Sequence, residues 1–426
     1  MFRHWAQSLR LAVPFFSFAS LAVAQSITEY TIPTPGSLPF GITAGQDGAL
    51  WFTEVQGNAV GRISTDGAVT EFALPTPGAS PLGITVGPDD AIWFTERIAA
   101  KIGRIGAVGG IVEFALPTSG SAPTGITTGP DGNLWFTEFS GNRIGRLTTT
   151  GDLEEFDIPT DGGPSQITSG PDGNLWFTES FGNRIARISI GGAVTEYPLP
   201  TPGSSPYGIA AGVDGNLWFT ETIAARIGRI SPAGVIAEFP VPGGGGPKGI
   251  ALGPDGNMWF ADQTGNRIGR VTPSGQITTF QVPAPGGPSG ITAGPDGNLW
   301  FTEATAGRIG RIATGPCSPD PTTLCLNASR FQVRVSWRRL DGVGGTGTAV
   351  RLSDDTGYFW FFNSANVELV VKVLDGRPVN GHFWVFYGAL SNVEYTITVV
   401  DAESGAIRTY ANPQGTLASF ADTQAF

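Results

Sequence analysis

Seven acidic residues recur along the chain about every 42 positions: Glu54, Glu96, Glu138, Glu179, Glu221, Asp262 and Glu303. Each closes the phrase L-W-F-T-E or a near variant of it. Carboxylates repeated on one face of a protein can hold a divalent cation such as magnesium, or repel anions. They can also serve the repeat itself. Glu138 stands four residues across a turn from Arg143, and Glu179, Glu221 and Asp262 have Arg184, Arg226 and Arg267 in the same register. As exposed pairs these would contribute about 0–1 kcal/mol each. A residue present in every repeat is most economically scaffold.

A second set varies from repeat to repeat. The residue at x in P-x-G-I-T is Phe40, Leu82, Thr124, Ser165, Tyr207, Lys248 and Ser289 in turn. A ligand breaks the symmetry of a repeat, so the odd residues are the binding candidates. Phe40, Tyr207 and Lys248 stand out, joined by Arg97, Phe139 and Phe181 just after the acids. Aromatic and cationic groups on one rim suit a sugar, a peptide, a protein segment or a small aromatic molecule. The alternative is unconstrained drift at loop positions. Of two histidines, His4 and His382, the latter precedes the apolar run Phe383-Trp384-Val385-Phe386 and reads as structural. Asn327-Ala328-Ser329 matches a glycosylation sequon, a pattern common by chance.

These residues need a scaffold that repeats seven times. Trp occurs at 51, 93, 135, 176, 218, 259 and 300, each within one phrase that is clearest over Ala122–Gly145. Each unit holds four strand-length pieces separated by Asp-Gly, Gly-Asn and other short turns. Four antiparallel strands in about 42 residues make one blade of a β-propeller. In that architecture the x positions and the acids lie on one face, around the mouth of a central channel. The Asp-Gly turns lie on the other.

The ends of the array predict how it closes. The outer-strand phrase follows six of the Trp residues, from Thr70–Leu74 to Thr278–Val282, and is missing after the seventh. Its seventh copy, Thr28-Glu29-Tyr30-Thr31-Ile32-Pro33, precedes the first blade. A closed ring borrows that strand and leaves no open edge.

Composition agrees with an all-β reading. The 426 residues include 62 Gly and 33 Pro, and only 14% are charged, which excludes coiled coils and helical bundles. With 40% hydrophobic residues and 11 Trp, disorder is excluded too. The net charge of −11 disfavours nucleic-acid and anionic-membrane partners. Residues 1–24 read as an export signal, with Arg3 and Arg10, an apolar stretch from Leu11 to Val23 and a small-residue cleavage site. No later stretch is long enough to span a membrane. The expected product is a secreted monomer, periplasmic or extracellular, with no certain cofactor.

Residues 25–315 therefore read as the propeller and 316–426 as a second, β-sandwich-like domain. Phe331, Val333, Val335 and Trp337 alternate with polar residues, the mark of a half-buried strand. Further strands are expected at Tyr358–Phe362, Val367–Leu374, His382–Tyr387, Val393–Val400 and Ala406–Tyr410, about six in all. Cys317 and Cys325, the two cysteines, are most simply a disulfide in an exported chain, worth roughly 2–3 kcal/mol.

The phrases G-P-D-G-N-L-W-F-T-E, G-N-R-I-G-R-I and T-E-F-x-L-P-T-P-G-S-x-P, over about residues 26–313, resemble the streptogramin (virginiamycin B) lyase family. The resemblance implies a seven-bladed propeller that opens cyclic depsipeptides by magnesium-dependent elimination at the ester. It also implies a histidine base at x of P-x-G-I-T in the last blade, and a second histidine in the blade before. Here those positions hold Ser289 and Lys248, and Gly287 replaces the carboxylate preceding the base. The expected function is thus a ligand- or protein-binding module without lyase activity, the alternative being an active lyase. The C-terminal segment, from C-S-P-D-P-T-T-L-C-L-N to N-V-E-L-V-V-K-V-L-D-G, resembles a module appended to assorted secreted bacterial proteins.

Overall fold

The computed structural model describes residues 27–106, 109–313, 321–327, 330–401 and 406–426. The export signal, Cys317, and sequon residues Ala328 and Ser329 lie outside them.

Seven four-stranded antiparallel sheets follow one another from Ile27 to Ile312. In the first blade the strands run from the channel outward as Pro39–Ala44, Leu50–Glu54, Ala59–Ile63 and Val69–Ala73. Every second strand is buried along its whole length, because neighbouring blades cover both of its faces. That accounts for the unbroken L-W-F-T-E runs, which do not alternate apolar with polar.

The seven Trp residues hold the turn face together. In the third blade Trp135 donates its indole N–H to Asp131 (2.9 Å) and stacks on Phe156 of the outer strand at 5.5 Å. The Arg146 guanidinium lies 5.8 Å over the indole and 3.3 Å from Asp131. Gly132 follows Asp131 at φ +74°, the left-handed conformation that the Asp-Gly turn requires.

The expected closure is present. Ile27–Thr31 pairs antiparallel with Arg308–Ile312, completing the sheet of the last blade. Tyr30 stacks on Trp300 at 5.4 Å, the place that Phe or Tyr of the outer strand takes in the other blades.

The C-terminal segment is two five-stranded sheets around a single apolar core, Leu324 to Ala425. Its described residues form ten strands where about six are expected from sequence. Those unforeseen are Thr323–Leu326, Gly344–Thr346, Thr348–Arg351 and Ser419–Asp422, short segments with no alternating pattern to mark them. His382 sits outside its expected strand, which begins at Phe383; its backbone N–H bonds Asn380 instead. Cys325 is buried on the first of these strands.

Candidate functional site

The x residues owe their placement to a bulge repeated in all seven blades. On each innermost strand the pairing slips between Pro and Ile of P-x-G-I-T, for instance between Pro39 and Ile42. A bulge turns the intervening residue away from the ladder. A threonine from the second strand then fixes the bulge: Gly41 N–H donates to Thr53 Oγ1 (2.9 Å), and that hydroxyl donates to the Leu82 carbonyl of the next blade (2.8 Å). The same relay runs through Thr95, Thr137, Thr178, Thr220 and Thr302. The sixth blade has Ala261 there. Glycine follows x because a Cβ would strike the neighbouring carbonyl, 2.5 Å away at Gly41.

The variable residues gather at the mouth. Phe40 and Tyr207 meet edge to face at 6.3 Å, although they come from the first and fifth blades. The Lys248 ammonium lies 5.4 Å from both ring centres. Phe139 and Phe181 form a second edge-to-face pair at 5.0 Å, with the Arg97 guanidinium 5.7 Å over Phe139. Burial pushes the Tyr207 phenol up to about 12, against weaker downward influences from Gln166 and Arg97. The Lys248 amine is lowered by burial. Inside the ring lies a cavity of about 120 Å³, lined by Phe40, Leu82, Gln166, Tyr207 and Ser289 among others.

Gln166 escaped the sequence reading. It replaces the glycine of P-x-G-I-T in the fourth blade, and that break in the phrase was the available signal. Gln263 was missed as well. Its side-chain amide donates to Ser289 Oγ at 3.0 Å, while Ser289 is 2% exposed and donates to the Gly287 carbonyl.

The seven acids differ from expectation. They are completely buried rather than exposed. Arg267 and Arg308 reach Asp262 and Glu303 at 2.6 and 2.7 Å, and Arg184 reaches Glu179 at 3.4 Å. Arg143 instead binds Asp157 and Glu155, and Arg226 lies against Glu238. The outer-strand glutamates compete for the cation: in the second blade Lys101 binds Glu113 at 2.6 Å. Burial first, then the outer-strand carboxylate, raises Glu54 to about 8 and Glu96, Glu138, Glu179 and Glu221 to about 7. Burial raises Glu303 too, against the pull of Arg308.

Such acids do not fit a magnesium site. Each is enclosed in its own blade, and among the described residues no three His, Cys, Asp or Glu side chains converge on one point.

The virginiamycin B lyase family model matches residues 18–163 and 159–317. The chain belongs to the virginiamycin B lyase family. The Staphylococcus aureus virginiamycin B lyase structure is 41% identical over 68% of this chain and 99% of that one, with a TM-score of 0.65. A catalytically inactive histidine-to-alanine variant of the same enzyme, solved with quinupristin, is 40% identical over the same shares at the same TM-score. The Bordetella parapertussis virginiamycin B lyase is 48% identical over 42 residues, which span 14% of its length and 10% of this chain. Family membership thus rests on the propeller.

Proposed function

We propose that this member of the virginiamycin B lyase family is an exported binding propeller that captures its ligand at the channel mouth and does not catalyse elimination. The observation that carries the reading is Ser289. It stands where the family resemblance places the histidine base, buried and hydrogen-bonded to Gln263 and Gly287. A serine without an adjacent base cannot take up a proton near neutral pH, and the propeller sequence after residue 24 holds no histidine. The ligand face is the aromatic and cationic group of Phe40, Tyr207, Lys248, Arg97, Phe139 and Phe181. Residues 1–24 support export, and an oxidising space outside the cytoplasm favours a disulfide between the two cysteines of the sequence.

One observation favours the second reading, an active lyase: burial lowers the Lys248 amine toward the range of a base. Mouth binding is tested by a thermal-shift screen of cyclic depsipeptides, aromatic amino-acid derivatives and oligosaccharides, run on wild type and on Phe40→Ala/Tyr207→Ala. A ligand at one hundred times its Kd adds about 2.7 kcal/mol of stability. The binding reading expects a raised melting temperature in wild type and none in the double variant. A shift that survives the double substitution places binding elsewhere and refutes it.

A further inference from the structure

The charges of the mouth face narrow the ligand class. Of all residues in the seven inter-blade loops and the seven hairpin turns of that face, only Arg97 and Asp161 are charged, and Lys248 is the sole charge at the x positions. Among the described residues Lys248 makes no ion pair. Its surroundings are two aromatic rings, and burial is the one influence on its amine. An ammonium carries three donors, and ring faces satisfy none of them as a carboxylate would. Arg97 likewise rests on Phe139 and lies near enough to Tyr207 to influence its phenol. Tyr207 thus has Lys248 against its ring and Arg97 within electrostatic reach.

One sector of the rim is apolar and exposed. Ile98, Phe181 and Ile223 are 73%, 76% and 75% accessible on the hairpin turns of the second, fourth and fifth blades. With Phe139 they form an arc on the side of Arg97. Large side chains left this bare on one sector are the mark of a contact surface.

We propose that the mouth selects an organic anion with an aromatic or branched apolar body, its carboxylate or sulfonate head received by Lys248 and Arg97 and its body laid over the arc. This rests on the binding reading above and names its ligand class. The anion supplies the acceptors that Lys248 lacks, and desolvation by the two rings strengthens that contact.

The test uses two dyes that share one body: anilinonaphthalene sulfonate, and phenyl-naphthylamine, which lacks the sulfonate. Fluorescence titration of the full chain should show the anionic dye bound at least about ten-fold more tightly, the range of one charge-assisted contact. Lys248→Met should bring the ratio near one. Arg97→Gln, a surface substitution, should lower the ratio in the same direction. Equal binding of the two dyes by wild type, or a preference that survives both substitutions, overturns the anion proposal while leaving mouth binding intact. Failure of both dyes to bind overturns both.

Discussion

Glu54 offers the sharpest test of the buried acids. Its blade has Ala59 where other blades have Arg or Lys, so Glu71 is its charged neighbour and no cation offsets burial. Its carboxyl is raised from 4.5 to about 8. With a raised folded-state pKa, the group's contribution is fully present below about pH 4.5 and is lost as pH rises through about 8. At pH 7 the unfolded chain is ionised at this site and the folded chain is protonated. Each unit of separation is worth 1.36 kcal/mol, so folding is about 3 kcal/mol less favourable at pH 7 than at pH 4.5 through this group alone. That figure is an upper limit, since relaxation of the buried site reduces it. Glu54→Gln keeps the shape and removes the titration. Denaturant unfolding of wild type and variant at pH 5, 6, 7 and 8 should show the variant gaining on wild type with each step, by up to about 3 kcal/mol in all. Asp262 is the control within the same ring. It receives backbone N–H groups from Gly246 and Gly265 and two bonds from Arg267, and its blade carries Thr279 where Glu71 stands in the first. Asp262→Asn should cost about 2–4 kcal/mol, because Arg267 and two backbone N–H groups lose their charged partner. A Glu54→Gln difference that is flat in pH would refute the reasoning.

Two further perturbations address the scaffold. Deleting residues 26–33 removes the closing strand, the Tyr30–Trp300 stack and the buried Ile32, about 5 kcal/mol of apolar burial, and should lower the melting temperature by roughly 10 °C; an unchanged melt contradicts closure. Thr137→Val strands the Gly125 N–H and the Ser165 carbonyl, which the hydroxyl now joins at 2.8 and 2.7 Å. It should cost about 2 kcal/mol by denaturant titration, and a neutral result would mean that the bulges need no relay.

The propeller was legible in the sequence because its signals are periodic. Trp spacing, Asp-Gly turns and a displaced outer-strand phrase fix blade number and closure without reference to any contact. The sandwich was legible in class and not in strand count, since segments such as Gly344–Thr346 are three exposed residues with no pattern. At the mouth, the odd residues among the x positions pointed to Phe40, Tyr207 and Lys248, and the structure brings them together. The burial of the acids could not be read, because it depends on the adjacent blade covering each second strand. Nor could the choice of Arg143 between Glu138 and its outer-strand neighbours Glu155 and Asp157, which depends on cross-strand register rather than on spacing along the chain.

The central claim is that Ser289 leaves the mouth without a base. Quinupristin should be incubated with the protein and magnesium beside an active family lyase, then separated by liquid chromatography with tandem mass spectrometry. Fragmentation is needed because elimination opens the ring without changing mass. Intact cyclic antibiotic with this protein, and linear product with the active lyase, is the outcome the account predicts. Linear product that disappears in Lys248→Ala would contradict it and make Lys248 the base.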